Sequence, residues 1–234
     1  MEVRHAPERN QRGMSLIGLL IGLLISGICM LGGLTLYRDL VQVTADSNYD
    51  TALDGQIASA MVQMQLHLQE AGFGLDNSME PAIDIESHID QQSFYWRRAG
   101  DPTAVPAEPA VVCRGLRESA ITIGDTDFQM LHLLTAANCS VNGDLKSMNW
   151  QLGSELARFQ MLAKLEDYLT PRTQKTLFDF NLVEGDCSPY GAGAPAPHRI
   201  AEVSAPSSIL VNNVGSAPAG ISDSIYRICL PNTL

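Results

Sequence analysis

Residues 14–36 contain no charged side chain, so a helix built from them is apolar on every side. At about 1.5 Å per residue such a helix is roughly 35 Å long, against roughly 30 Å of bilayer hydrocarbon. Past Arg38 and Asp39 the pattern changes character without a proline to interrupt it. Leu53, Ile57, Ala60, Met64, Leu68 and Ala71 recur in steps of three and four, which is the stripe of an amphipathic helix. The pattern predicts one long helix, apolar all round in its first half and one-sided in its second. Gly72-Phe73-Gly74 supplies the residues that stop it.

The remainder reads as short strands between turn signals, at 111–113, 120–123, 129–134, 178–183, 209–214 and 225–230. Gly124-Asp125-Thr126-Asp127 reads as a hairpin connection between two of them. A second helix is expected over 154–169, where Leu156, Phe159, Leu162, Leu165 and Leu169 keep helical spacing ahead of Pro171. The stretches 99–110 and 188–197 are rich in Pro, Ala and Gly and read as loops. The predicted class is α+β, a long N-terminal helix with a transmembrane first half, its amphipathic stripe packed on an antiparallel sheet. The expected divisions are a leader at 1–13, a membrane-spanning helix at 14–36, its amphipathic continuation at 37–72 and a β-rich globular domain at 73–234.

Arg4, Arg9 and Arg12 precede the apolar run and outnumber Glu2 and Glu8, which keeps the leader cytoplasmic and puts the rest on the far side of the membrane, the periplasm in a Gram-negative cell. Other readings of this end fit less well. A secretory signal has an apolar core of about 7–15 residues and a small-x-small cleavage site, and the run here is longer, with no such site soon after Leu36. Cys29 follows Ile28, not the small residue that a lipoprotein signal needs. A plain transmembrane anchor is the remaining alternative.

The formal charge is −11 and becomes −12 if the leader, with three arginines against two acids, is removed. That balance argues against charge-driven nucleic-acid binding and favours solubility of the exported part. Cys29 lies in the apolar run and reads as a small hydrophobe. Cys113, Cys139, Cys187 and Cys229 form an even set in the exported part, where disulfides persist. Three connectivities are open; Cys113–Cys139 with Cys187–Cys229 is preferred because both loops are local.

Catalytic patterns are missing: the sequence holds no Gly-x-Ser-x-Gly, His-Glu-x-x-His, P-loop or dinucleotide fingerprint. No enzymatic activity, cofactor or metal is expected. His5, His67, His88, His132 and His198 are scattered, and His67 on the long helix suits a surface role. Asp84, Glu86, His88 and Asp90 fall on one face of an extended segment, with Ile85 and Ile89 on the other. That arrangement suits a divalent cation, but it is also what a half-exposed edge strand looks like, which is the preferred reading. Asp125 with Asp127, and Asn142-Gly143-Asp144, read as turns and not as calcium loops. Phe94-Tyr95-Trp96, followed by Arg97 and Arg98, reads as a strand with one buried face.

The junction Arg12-Gly13-Met14-Ser15-Leu16-Ile17 resembles the type IV prepilin signal. The helix end Leu66-His67-Leu68-Gln69-Glu70-Ala71-Gly72-Phe73-Gly74 resembles the close of the first helix in minor pilins of the PilW family. The counterpart of that family in type II secretion is the J-type minor pseudopilin. The resemblance is strong over roughly the first 75 residues and looser at 118–123 and 209–214. It implies that prepilin peptidase cuts between Gly13 and Met14 and methylates the new amine of Met14. It further implies storage in the inner membrane, then assembly with other minor pilins and the major pilin through the assembly platform, in a priming complex at or near the pilus tip. One position departs from the signal: the fifth mature residue, glutamate in these families, is Gly18. A buried charge without a partner costs several kcal/mol, so a subunit with no neighbour above it does better without the glutamate. The equal alternative is that a subunit used in few copies tolerates its loss. Gly18-x-x-x-Gly22 also suits close packing of helix backbones.

Overall fold

A computed structural model describes residues 16–75, 82–188, 194–214 and 220–233. The elements are α1 (Leu16–Leu68), β1 (Ile83–His88), β2 (Gln91–Ala99), β3 (Val111–Ile123), β4 (Thr126–Ala136), β5 (Trp150–Gln160), α2 (Ala163–Leu169), β6 (Asp179–Cys187), β7 (Ala196–Ala205), α3 (Ser208–Asn212) and β8 (Ser224–Leu230), with a short 3₁₀ turn at Leu145–Ser147. The chain divides into two units, Met1–Tyr49 and Asp50–Leu234. In the first, the described part of α1 is exposed apart from Tyr49. In the second, α1 buries Leu53, Ile57, Ala60, Met61, Met64 and Leu68, the stripe that its three-and-four spacing marks out.

Strands β1 to β5 form one antiparallel sheet in chain order and β6 to β8 a second. This is the expected long helix packed against an antiparallel β-sheet domain. A two-residue turn, Gly124-Asp125, joins β3 to β4, with Ile123 opposite Thr126 and Gly124 at φ 63°. Phe94, Leu116 and Leu133 stand in one cross-strand row of the large sheet, all buried. Tyr95, on the opposite face, joins a cluster with Cys113, Leu134, Leu145 and Met148, and its ring stacks on Trp150 at 4.6 Å. The strand at 94–96 is therefore buried on both faces rather than one, because the 137–149 connection folds back over the second face.

The structure pairs Cys113 with Cys139 and Cys187 with Cys229, at Cα separations of 5.3 and 5.9 Å. The first bond ties the 137–149 connection to β3. The second ties the end of β6 to β8, two strands that flank β7 on opposite sides.

Four further sequence expectations change. Residues 111–113 and 120–123 belong to a single strand, β3. The helix expected over 154–169 is β5 followed by the short α2. Here β5 is an edge strand whose register against β4 slips around His132. A slipped register breaks the alternation of period two and leaves an apolar spacing that imitates a helix. Residues 209–212, in the stretch expected as a strand over 209–214, lie in α3, which Asp54 caps from a distance: its carboxylate accepts from the Ser208 N–H and hydroxyl, each at 2.8 Å. Within 188–197, read as a loop, 189–193 lie outside the described residues and β7 begins at Ala196.

The helix stop has a second cause besides backbone freedom. Gly72 has φ 74°, and a Cβ there would stand 2.2 Å from the carbonyl oxygen of Asn232. Its N–H donates to the Arg97 carbonyl at 2.8 Å. Glycine at this position thus serves both the left-handed turn and the close approach of the C-terminal segment.

Candidate functional site

The described apolar residues of the stem, Leu16 to Leu36, sit on an uninterrupted α-helix and are exposed along it. Leu16, Ile17, Leu19, Leu20, Leu23 and Leu24 each expose more than half of their surface. A helix that shows leucine and isoleucine on all sides must be covered by lipid or by other helices. Among the described residues, α1 is the one helix long and apolar enough to cross a membrane. Cys29 lies exposed on it, with a free thiol. A Cβ placed at Gly18, Gly22, Gly27, Gly32 or Gly33 meets nothing within 4 Å. None of these glycines is demanded by the chain's own fold. Gly13 and Met14, the expected processing junction, lie outside the described residues, as does His5.

In the second unit the residues singled out from sequence take structural positions. Asp84, Glu86 and His88 share one face of β1, an edge strand of the large sheet. Asp84 pairs with Lys146 at 2.9 Å. Glu86 accepts from the Tyr95 hydroxyl at 2.8 Å and lies 3.2 Å from Nε2 of His88. Asp90 falls in the turn after β1, apart from these three. Asp144 caps the 3₁₀ turn by accepting from the Lys146 N–H at 3.2 Å, and Asp127 accepts from the Thr122 hydroxyl at 2.6 Å. Among the described residues no three His, Cys, Asp or Glu side chains are placed to share a metal ion. His67 sits 3.7 Å from Glu70. Arg98, next to the aromatic cluster, is clamped by Glu108 at 2.8 Å and Glu70 at 3.1 Å. The Arg98 bonds hold the Glu108 carboxyl down to about 2.

Sequence reading did not find the polar joint between the two sheets. Gln92 and Glu118 face one another across β2 and β3, and both are buried. Glu118 accepts from the N–H groups of Leu177 and Phe178 at 2.6 and 2.8 Å. Gln92 accepts from the Phe180 N–H at 2.9 Å and donates to the Phe180 carbonyl at 3.1 Å. Buried polar residues on a sheet face that also carries Phe94, Leu116 and Leu131 are the signal that marks such a joint.

The model of the prokaryotic N-terminal methylation motif matches residues 9–34. No curated protein matches the chain, and no solved structure does. The matched stretch covers the junction and most of the exposed apolar run. Together with the single apolar helix it supports a membrane-anchored type IV pilin or pseudopilin, a class that prepilin peptidase processes and that assembles with other pilins.

Proposed function

We propose that the chain is a minor pilin of the type IV pilus, of the PilW type, that acts in a priming complex at or near the tip and carries out no catalysis of its own. Processing between Gly13 and Met14, with methylation of the Met14 amine, releases a stem that lies in the inner membrane with the leader cytoplasmic and the domain periplasmic. The stem then leaves lipid for the company of other pilin helices. The observation that carries this reading is the methylation motif over 9–34 running directly into a helix whose apolar side chains lack cover within the chain. Both environments suit such a helix, so the transfer exchanges one apolar neighbour for another and requires packing more than solvation. Gly18 favours a place at the top of the complex, where no neighbouring amine waits for a glutamate. The same stem would serve a J-type minor pseudopilin of type II secretion. A DNA-binding tip is disfavoured by the −11 charge.

Deletion followed by complementation tests the proposal. Loss of the chain is expected to reduce surface pili severalfold with type II secretion intact, and the wild-type chain to restore them. The Gly18→Glu variant is expected to be processed normally yet to restore fewer pili. Normal piliation with failed secretion in the deletion strain would establish the pseudopilin instead. Full restoration by Gly18→Glu would remove the argument for a special tip position.

A further inference from the structure

We infer that a cleft beside the end of α1 receives another pilin subunit, filled by an apolar side chain of that subunit that stands next to a lysine or arginine. The cleft has a volume of about 600 Å³; Leu66 on α1, with Glu70 and Phe73 in the turn that follows it, meets Arg98 on β2 and Asp101 and Pro102 in the loop beyond. Leu66 and Phe73 are 62 % and 60 % exposed, and Val62, one turn before Leu66, is 59 % exposed. Residues 55–69 hold no Asp, Glu, Lys or Arg. A helix face that meets water ordinarily carries charge, and large apolar side chains grouped at a surface mark a place where another molecule sits.

The charges on the rim select the kind of segment that fits. Arg98 is already engaged, its Nε 3.1 Å from Glu70 and its other two nitrogens donating to Glu108 at 2.8 Å. Asp101 is exposed; it accepts from the Thr103 hydroxyl and N–H at 2.6 and 2.8 Å and, among the described residues, has no cationic partner. Those two donors hold its carboxyl below the usual carboxylate range, so the rim stays negative at neutral pH. A lone carboxylate would only be solvated. Here it stands at the edge of an apolar cleft, and a segment that fills the cleft and reaches the carboxylate with a base complements both. A phospholipid surface fits less well, because its phosphates would face that carboxylate. The methylation motif marks a class that assembles with other pilins, and the inference rests on that reading.

Photo-crosslinking of the full chain in piliated cells tests it, with a benzophenone side chain in place of Leu66, of Phe73, of Leu24 in the stem, or of the exposed Gln151 on β5. Leu66 and Phe73 are expected to couple to one peptide of a second chain that carries the methylation motif, with a Lys or Arg within about four residues of the coupled position. Asp101→Asn, which keeps an acceptor for Thr103, should lower that yield about threefold. The charge-matched control Glu184→Gln, at an exposed position on β6, should leave it unchanged, and Gln151 should not reach that peptide. Coupling from Leu24 to another pilin with none from Leu66 or Phe73 would overturn the cleft assignment and leave the pilin reading standing. Failure at all three sites would overturn both. Coupling to lipid alone, to a peptide without a base, or with a yield unmoved by Asp101→Asn would likewise overturn the assignment.

Discussion

Glu118 shows how a single side chain couples the two sheets to pH. It is fully buried on β3 and holds Leu177 and Phe178, just ahead of the second sheet, through their two backbone N–H groups. Burial pushes its carboxyl up to about 8, against the downward pull of those N–H donors and of the Arg172 charge. In the unfolded chain the same group titrates near 4.5, so the folded state holds its proton more tightly. The stabilising contribution is complete below about pH 4.5 and is lost as the pH rises through about 8. Melting followed by near-ultraviolet circular dichroism should therefore show the globular unit losing several degrees of Tm between pH 5 and pH 9. Glu118→Gln should flatten that slope and lower stability at pH 5 by about 1–3 kcal/mol, since the amide places an N–H against a backbone N–H. A wild-type profile that rises over this range would contradict the assignment.

At the scale of elements, α3 depends on α1. Ser207 makes no capping bond through its side chain, and Asp54 supplies that bond from α1, while Asp50 accepts from Asn212 at 2.8 Å. Replacing Asp54 by Ala should cost about 1–2 kcal/mol and should speed hydrogen exchange of the α3 amides while those of β7 keep their protection. Unchanged exchange in α3 would show that the cap is dispensable. The same dependence explains what sequence pattern reveals and what it hides. Leu53 to Ala71 announce their helix because their partners recur on the helix itself, at fixed spacing. Gly124-Asp125 announces a hairpin because a turn is a local demand. Ile209 to Val214 look like a strand because they are apolar and β-branched, and the carboxylate that makes them helical is some 150 residues away. β5 is hidden for another reason: its slipped register at His132 removes the alternation by which strands are recognised. The methylation motif over 9–34 is legible because it is a contiguous stretch of sequence. The polar joint at Gln92 and Glu118 is not, because its partners at 177–180 lie some 60 to 90 residues further along the chain.

For the molecule as a whole, two kinds of surface stand on one chain. The first unit offers an apolar helix that its own fold leaves uncovered, with glycines that no internal contact requires. The second buries its apolar residues around two meandering sheets, closes them with two disulfides, and carries most of the acidic side chains. A stem that is apolar on all sides needs an apolar environment outside its own helix, lipid or other helices. This is the central claim, and it depends on the stem being kept and the leader removed. The direct measurement is the mass of the N-terminal peptide of the chain recovered from cells that contain prepilin peptidase. The account predicts a mature chain that begins at Met14 with one methyl group on its amine. An intact Met1, or a chain that begins beyond Leu36, would contradict it.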